Sequence, residues 1–204
     1  MKIFAVGMNY ADHNKELRHT FLSPEPTIFM KSDPVLKDGK PFFIPDFSDE
    51  VHYETEIVIK INRLGKNIDE RFAARYYDEV TVGIDFTARD RQRDLRSQGM
   101  PWELCKAFDN AAAVGRFVPL DSVGGDINRL TFRLDLNGHT VQLGRTADML
   151  FPVDRIVAFV SRFFTLRMGD LIYTGTPSGV GPVAIGDHLE GFIGDKRLLD
   201  FHIK

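Results

Sequence analysis

Apolar and polar positions alternate over short stretches of this chain, with the two-residue period of half-buried strands. Residues 2–6 predict an opening strand. In residues 53–61, Ile57, Ile59 and Ile61 share one face. Residues 80–86 predict a further strand, and residues 131–136 alternate clearly. The Asn137-Gly138 pair that follows is a strong hairpin signal, with residues 141–143 as the return arm. Residues 171–174, 188–192 and 198–203 complete the set. Apolar residues at helical spacing occur in three places. Asn9 could cap a short helix over residues 10–18, with Asp12 as a capping-box partner. Its thin apolar content makes it a candidate mobile lid. Residues 69–78 place Phe72, Ala73, Tyr76 and Tyr77 on one side. Pro152 can open a helix whose apolar face is Ile156, Phe159, Val160, Phe163 and Phe164. Several strands, few helices and many turns predict an α+β fold, predominantly β, with a closed or rolled sheet. No repeat or linker interrupts residues 1–204, so one domain is expected.

Composition narrows the function classes. Hydrophobic residues are 43% and charged residues 27%, as in an ordinary globular protein. The net charge of -3 argues against nucleic acid or an anionic membrane as partner, since both need a basic excess. A single cysteine, Cys105, precludes an intrachain disulfide framework and fits a reducing cytoplasm. Asn9 and Asp12 arrive before a signal-peptide core could form, and no apolar run approaches the length of a membrane span.

Three carboxylates stand out. Glu54 and Glu56 lie two apart, so on a strand they point to one face. A solvated strand face would explain them, and Lys60 on that face supports this. Asp85 is harder to set aside, because it follows Val80-Thr81-Val82-Gly83-Ile84 and precedes Phe86. A carboxylate in an apolar strand is costly unless paired or metal-bound. Arg89 could be its structural partner. Alternatively, the three carboxylates suit a hard divalent cation, magnesium, manganese or calcium rather than zinc.

Other candidates also carry two readings. Thr174-Gly175-Thr176-Pro177-Ser178-Gly179-Val180-Gly181 is either a tight turn or a loop whose N–H groups approach an anion. It lacks the Gly-Lys-Ser/Thr of a nucleotide loop. His13 and Glu16, three apart, share a helix face. They are ordinary surface residues or a pair in which the glutamate orients a general-base histidine. Lys106 lies among apolar neighbours, able to neutralise an anion or enolate or to lay its stem on apolar surface. His52 adjoins the glutamates, a position from which it could support them. His19, His139, His188 and His202 read as structural or surface residues. The run from Arg89 to Arg96, with Asp90 and Asp94, reads as a solvated helix face.

Taken together, these segments resemble the fumarylacetoacetate hydrolase family. The matching blocks run from Val6-Gly7-Met8-Asn9-Tyr10-Ala11-Asp12-His13 through Phe29-Met30-Lys31, His52-Tyr53-Glu54-Thr55-Glu56 and Asp85-Phe86-Thr87-Ala88-Arg89-Asp90. They continue through Lys106-Ala107-Phe108-Asp109, Asn137-Gly138 and Gly169-Asp170 to the loop of residues 174–181. The His-x-x-Glu helix and Pro101-Trp102 are similar to the small acylpyruvase and oxaloacetate decarboxylase type. The resemblance implies a mixed β-roll, a homodimer, and magnesium or manganese on Glu54, Glu56 and Asp85. It implies a His13–Glu16 dyad on a closing lid, with Lys106 as cationic partner of the reacting group. Arg89, Gln92 and Thr176 would hold a small 2-oxo carboxylate substrate. The implied activity is hydrolysis of the C–C bond of acylpyruvates, or decarboxylation of oxaloacetate, through a pyruvate enolate. Isomerisation of 2-hydroxyhepta-2,4-diene-1,7-dioate, oxaloacetate tautomerisation and non-catalytic carboxylate binding remain the alternatives.

Overall fold

Strands join into three sheets, as a computed structural model shows for residues 1–16, 23–33 and 35–204. The largest runs, in spatial order, Thr27–Lys31, Ile3–Gly7, Leu171–Tyr173, Thr55–Ile61, Tyr77–Asp85, Ala112–Val114 and Leu36–Lys37, with Val118–Pro119 also paired to Tyr77–Asp85. A second contains His139–Arg145, Thr131–Leu136, His188–Ile193 and Lys196–His202. A third small sheet joins Gly181–Pro182, Val51–Tyr53 and Thr87–Ala88. The fold is α+β and predominantly β, as the alternation predicts.

The Thr55–Ile61 strand is covered on both faces. Ile57, Ile59 and Ile61 join the main core with Phe4, Phe86, Phe132 and Leu134, while Val58 packs on the other side with Ile3, Ala5 and Tyr173. Each isoleucine so buried stabilises the fold by roughly 1.5–3 kcal/mol. The expected strand over residues 53–61 is broken at Glu54, because Val51–Tyr53 belongs to the small sheet and Thr55–Ile61 to the large one. Glu54 therefore sits at the crossing between sheets. The Asp85 N–H donates to its carbonyl at 2.8 Å.

The remaining elements agree in kind and differ in detail. Asn137 and Gly138 both have positive φ, 53° and 79°, and close the hairpin. Residues 69–78 form not an α-helix but a 3-10 helix, Glu70–Tyr76, with the Asp69 side chain accepting from the Arg71 N–H. Three residues per turn line up Ala73 with Tyr76 and turn Phe72 outward, where Arg71 and Arg75 cover its ring. The Val153–Phe163 helix buries Val153, Ile156, Val157 and Val160. Phe163 is exposed, and Phe164 already lies in extended backbone, its ring tilted against that of Phe4 at 5.0 Å between centroids.

The N-terminal helix spans Ala11–Glu16. The expected residues 17 and 18, and His19, lie outside the described residues. Asn9 does not cap it. Its side chain donates to the carbonyls of Thr174 at 2.7 Å and Phe151 at 3.1 Å and accepts from the Phe151 N–H at 2.8 Å. Asp12 pairs with Lys15 at the surface instead of closing a capping box.

Candidate functional site

The Thr55–Ile61 and Tyr77–Asp85 strands are antiparallel neighbours, with Thr55 opposite Ile84 and Glu56 opposite Gly83. This register brings Glu54, Glu56 and Asp85 together, with one carboxylate oxygen of each within 4.8 Å of the others. All three are buried, at 5%, 1% and 0% exposure. A solvated strand face is therefore wrong for Glu54 and Glu56. Lys60, its expected companion, pairs with Glu79 away from the cluster.

Buried cations answer the charge. The Lys106 Nζ donates to Glu54 at 2.7 Å, to Asp85 at 2.9 Å and to the Thr87 hydroxyl at 2.6 Å. Lys31 donates to Asp85 and to the Lys106 carbonyl. Arg89 donates to Glu54 and, at 2.5 Å, to the Gln92 side-chain oxygen. The expected Asp85–Arg89 pair is not formed, because Arg89 opens the Arg89–Ser97 helix on the Glu54 side and two lysines already flank Asp85. Arg89 is thus buried, unlike the rest of its basic run. His52 stands behind it, accepting from the Arg89 Nε–H at 3.4 Å and contacting Glu50 at 2.9 Å.

Electrostatics separates the two glutamates. Burial alone would raise the Glu54 pKa, but Lys106 and then Arg89 overcome it and hold the carboxyl well below the usual range. Burial, reinforced by Asp85, pushes Glu56 well above it. Among the described residues Glu56 has no ion-pair partner, and only the Gly175 N–H reaches it, at 2.5 Å. A buried carboxylate short of positive charge, beside two others at ligand spacing, fits a hard divalent cation.

The glycine loop meets anions, and they are the protein's own carboxylates. The Gly175 N–H serves Glu56, and the Gly179 N–H serves Glu16 at 3.1 and 3.2 Å. Gly175 has φ +103°, and a Cβ there would lie 2.6 Å from the Asn9 Cβ. Glycine is required for this close approach. Thr176 is buried and accepts from the Gln142 amide at 2.9 Å. Gln142 also donates to the Pro177 carbonyl and accepts from the Thr55 N–H, both at 2.9 Å, so it ties the loop to the glutamate strand.

His13 lies over this centre. Its Nδ1 is 3.3 Å from Glu16, and it is 5% exposed. Burial lowers its pKa, opposed by Glu54 and Glu16, so the imidazole is neutral near pH 7. Cys105 is fully buried, and burial pushes its thiol up to about 11, which leaves it a poor nucleophile.

One small pocket is lined by all nine expected site residues except Glu16: His13, Glu54, Glu56, Asp85, Arg89, Gln92, Lys106 and Thr176. Glu16 reaches it through His13. Val6, Phe29 and Trp102 supply an apolar wall, the two rings lying 5.7 Å apart. Sequence reasoning assigned no role to Lys31 or Gln142. Lys31 stood within a matching block, and Gln142 carried no local signal.

A buried tricarboxylate cluster under a histidine-bearing helix, in a predominantly β fold, has the make-up of an enzyme active site. The chain belongs to the fumarylacetoacetate (FAA) hydrolase family: the family's C-terminal domain profile matches residues 2–203. It is 38% identical over 203 residues to a mitochondrial oxaloacetate tautomerase of Mus musculus, covering 99% of this chain and 91% of that protein. It is 39% identical over 187 residues to a mitochondrial oxaloacetate decarboxylase of Dictyostelium discoideum, covering 91% and 85%. Its structure is similar to fumarylpyruvate hydrolase from Pseudomonas aeruginosa in complex with Mn2+ and pyruvate, with a TM-score of 0.91, 33% identity and coverage of 100% and 89%. No helix among the described residues is long and apolar enough to cross a membrane.

Proposed function

We propose that this protein is a divalent-metal-dependent enzyme of small 2-oxo acids, acting through a pyruvate-type enolate. Hydrolysis of the C–C bond of acylpyruvates and decarboxylation of oxaloacetate are the primary reactions. Tautomerisation of oxaloacetate, through the enolate that oxaloacetate itself forms when C3 loses a proton, calls on the same charge stabilisation at the 2-oxo group and is the second reading, favoured by the Mus musculus relative. The observation that carries the proposal is the convergence of Glu54, Glu56 and Asp85 within 4.8 Å, on a pocket shared with His13 and Lys106.

Glu54, Glu56 and Asp85 would hold Mg2+ or Mn2+. Such a cation supplies Lewis-acid polarisation of a 2-oxo carboxylate. Arg89, Gln92 and Thr176 orient the substrate's carboxylate and 2-oxo group. His13, neutral and held by Glu16, takes a proton from water. The resulting hydroxide adds to the distal carbonyl of a 2,4-dioxo acid. The bond between C3 and that carbonyl breaks, its electrons pass to the pyruvate fragment as an enolate, and Lys106 offsets the charge. Protonation at C3, from the imidazolium, gives pyruvate and returns His13 to neutrality. In oxaloacetate, loss of carbon dioxide leaves the same enolate.

The Ala11–Glu16 helix acts as a lid in this scheme, with the Glu16 contact to Gly179 as its closed position. A homodimer extends the proposal on family likeness, and a cytoplasmic location extends it on cysteine usage. The test follows loss of acetylpyruvate and of oxaloacetate by ultraviolet absorbance, with Mg2+ or Mn2+ and then with EDTA. A protein-free control accounts for metal-driven decarboxylation. EDTA-sensitive loss of acetylpyruvate, or of oxaloacetate with pyruvate formed, is expected. Loss of oxaloacetate without pyruvate selects the tautomerase reading, and loss of neither overturns the proposal.

A further inference from the structure

Two grooves share lining residues with the pocket. One is apolar, formed by Phe29, Met30, Met100 and Trp102, and Phe29 and Trp102 also line the pocket. The other lies along the Arg89–Ser97 helix, where Arg89, Gln92 and Arg96 line both the pocket and a groove that also takes in Glu16, Glu50, His52 and Arg93. Arg89, Gln92 and Arg96 are spaced i, i+3 and i+7 and so share one helix face. At 1.5 Å per residue, Arg96 lies about 10 Å along the axis from Arg89.

These cations differ in what they already hold. Arg89 pairs with Glu54, and Lys106 with Glu54 and Asp85. Arg93, one position beyond Gln92, is paired with Glu50 at 2.6 Å. Arg96 forms no ion pair among the described residues, and residues 17–22 and 34 contain no carboxylate that could supply one. It is exposed, yet it lines the pocket itself. An unspent guanidinium at the mouth of an anion-handling pocket matches a carboxylate in charge and in its bidentate donor geometry.

We infer that Arg96 is a specificity-determining residue, binding the distal carboxylate of the substrate, so that this chain selects 2-oxo dicarboxylic acids over 2-oxo acids with an uncharged far end. The inference rests on the 2-oxo-acid reading of the site. The first carboxylate and the 2-oxo group lie at the buried end with Arg89, Gln92 and Thr176. The chain then runs outward along the helix face, against Val6 and Phe29, to Arg96. The apolar groove past Trp102 offers a second carboxylate no cation, since its lining there includes only Glu103 as a charged side chain.

The test compares two ligands of equal length that carry no scissile dioxo bond, 2-oxoglutarate and 2-oxopentanoate. Each is titrated calorimetrically into the Mn2+-loaded protein, so the result does not depend on turnover. The wild type is expected to prefer 2-oxoglutarate by about 10-fold or more, the scale of one charge-assisted contact. Arg96→Gln should bring the ratio near one, Arg96→Glu should push it below one, and Arg93→Gln should keep it. Equal binding of both ligands by the wild type overturns the Arg96 assignment and leaves the 2-oxo-acid reading standing. An equal loss of preference in Arg93→Gln also overturns it, by assigning the effect to diffuse positive charge. Binding of neither ligand overturns both.

Discussion

Glu16 accepts a hydrogen bond from the Gly179 N–H, at 3.1 and 3.2 Å to its two oxygens, while one of those oxygens faces His13 at 3.3 Å. The contact joins the short N-terminal helix to the glycine loop and fixes the histidine between them. Gly179 has φ +98°, and a Cβ there would lie 2.5 Å from the Val141 carbonyl oxygen. Gly179→Ala should therefore displace the loop, at a cost of about 1–3 kcal/mol for the strained backbone, and slow turnover by loosening Glu16. Glu16→Ala should slow turnover by about 100-fold with little loss of stability, as expected when a general base loses its orientation. Steady-state kinetics beside denaturant melts separates the two effects. Full activity in Glu16→Ala would contradict the dyad.

The protonation of His13 sets a pH dependence. Burial lowers its pKa below the ordinary 6.5, against the pull of Glu54 and Glu16. As the base in its neutral form, it should support turnover down to pH values below 6.5, with the acid limb at the lowered value. The unfolded chain takes up this proton first on acidification, so it binds more protons than the folded one in that window. Stability from this group is thus fully present above about pH 6.5 and is lost as pH falls toward the folded value. A pH–rate profile and melts across pH 5–8 check both. In His13→Ala the stability decline should shrink, and hydrolysis should slow by about 100-fold or more.

Gln142 makes three hydrogen bonds from one buried amide, to Thr55, Thr176 and Pro177. Gln142→Ala would leave the buried Thr55 N–H unpaired, at a cost of about 1–3 kcal/mol. It should also raise KM for a 2-oxo acid, because the Thr176 hydroxyl loses the donor that orients it. Denaturant melts and kcat/KM report the two losses. An unchanged KM would remove Thr176 from substrate binding.

The period-two pattern made the longer strands legible, and the turn at Asn137-Gly138 was legible to the residue, although the return arm, expected over residues 141–143, spans His139–Arg145. The carboxylates were harder. Glu54 and Glu56 look like a solvated pair because alternation says which residues share a face and not what covers it. Burial is tolerated because Lys31, Lys106 and Arg89 converge from three distant segments. Lys31 ends a strand, where lysine usually marks exposure, so its burial against Asp85 was invisible locally. Asn9 carries the signature of a helix cap, yet tertiary partners at Phe151 and Thr174 outcompete that local role. Gln142 occupies an ordinary hairpin arm, and only the packing of the loop above it reveals its use.

In the proposed function, turnover depends on a metal centre formed by Glu54, Glu56 and Asp85. The most direct test measures Mn2+ affinity and oxaloacetate and acetylpyruvate turnover together in wild type and Glu56→Gln. The substitution keeps the side-chain shape and an oxygen to accept from the Gly175 N–H, so the melting temperature should change little. Mn2+ affinity should fall by about 100-fold or more, and metal-dependent turnover should disappear. A Glu56→Gln protein that binds Mn2+ and turns over as the wild type does would contradict the account.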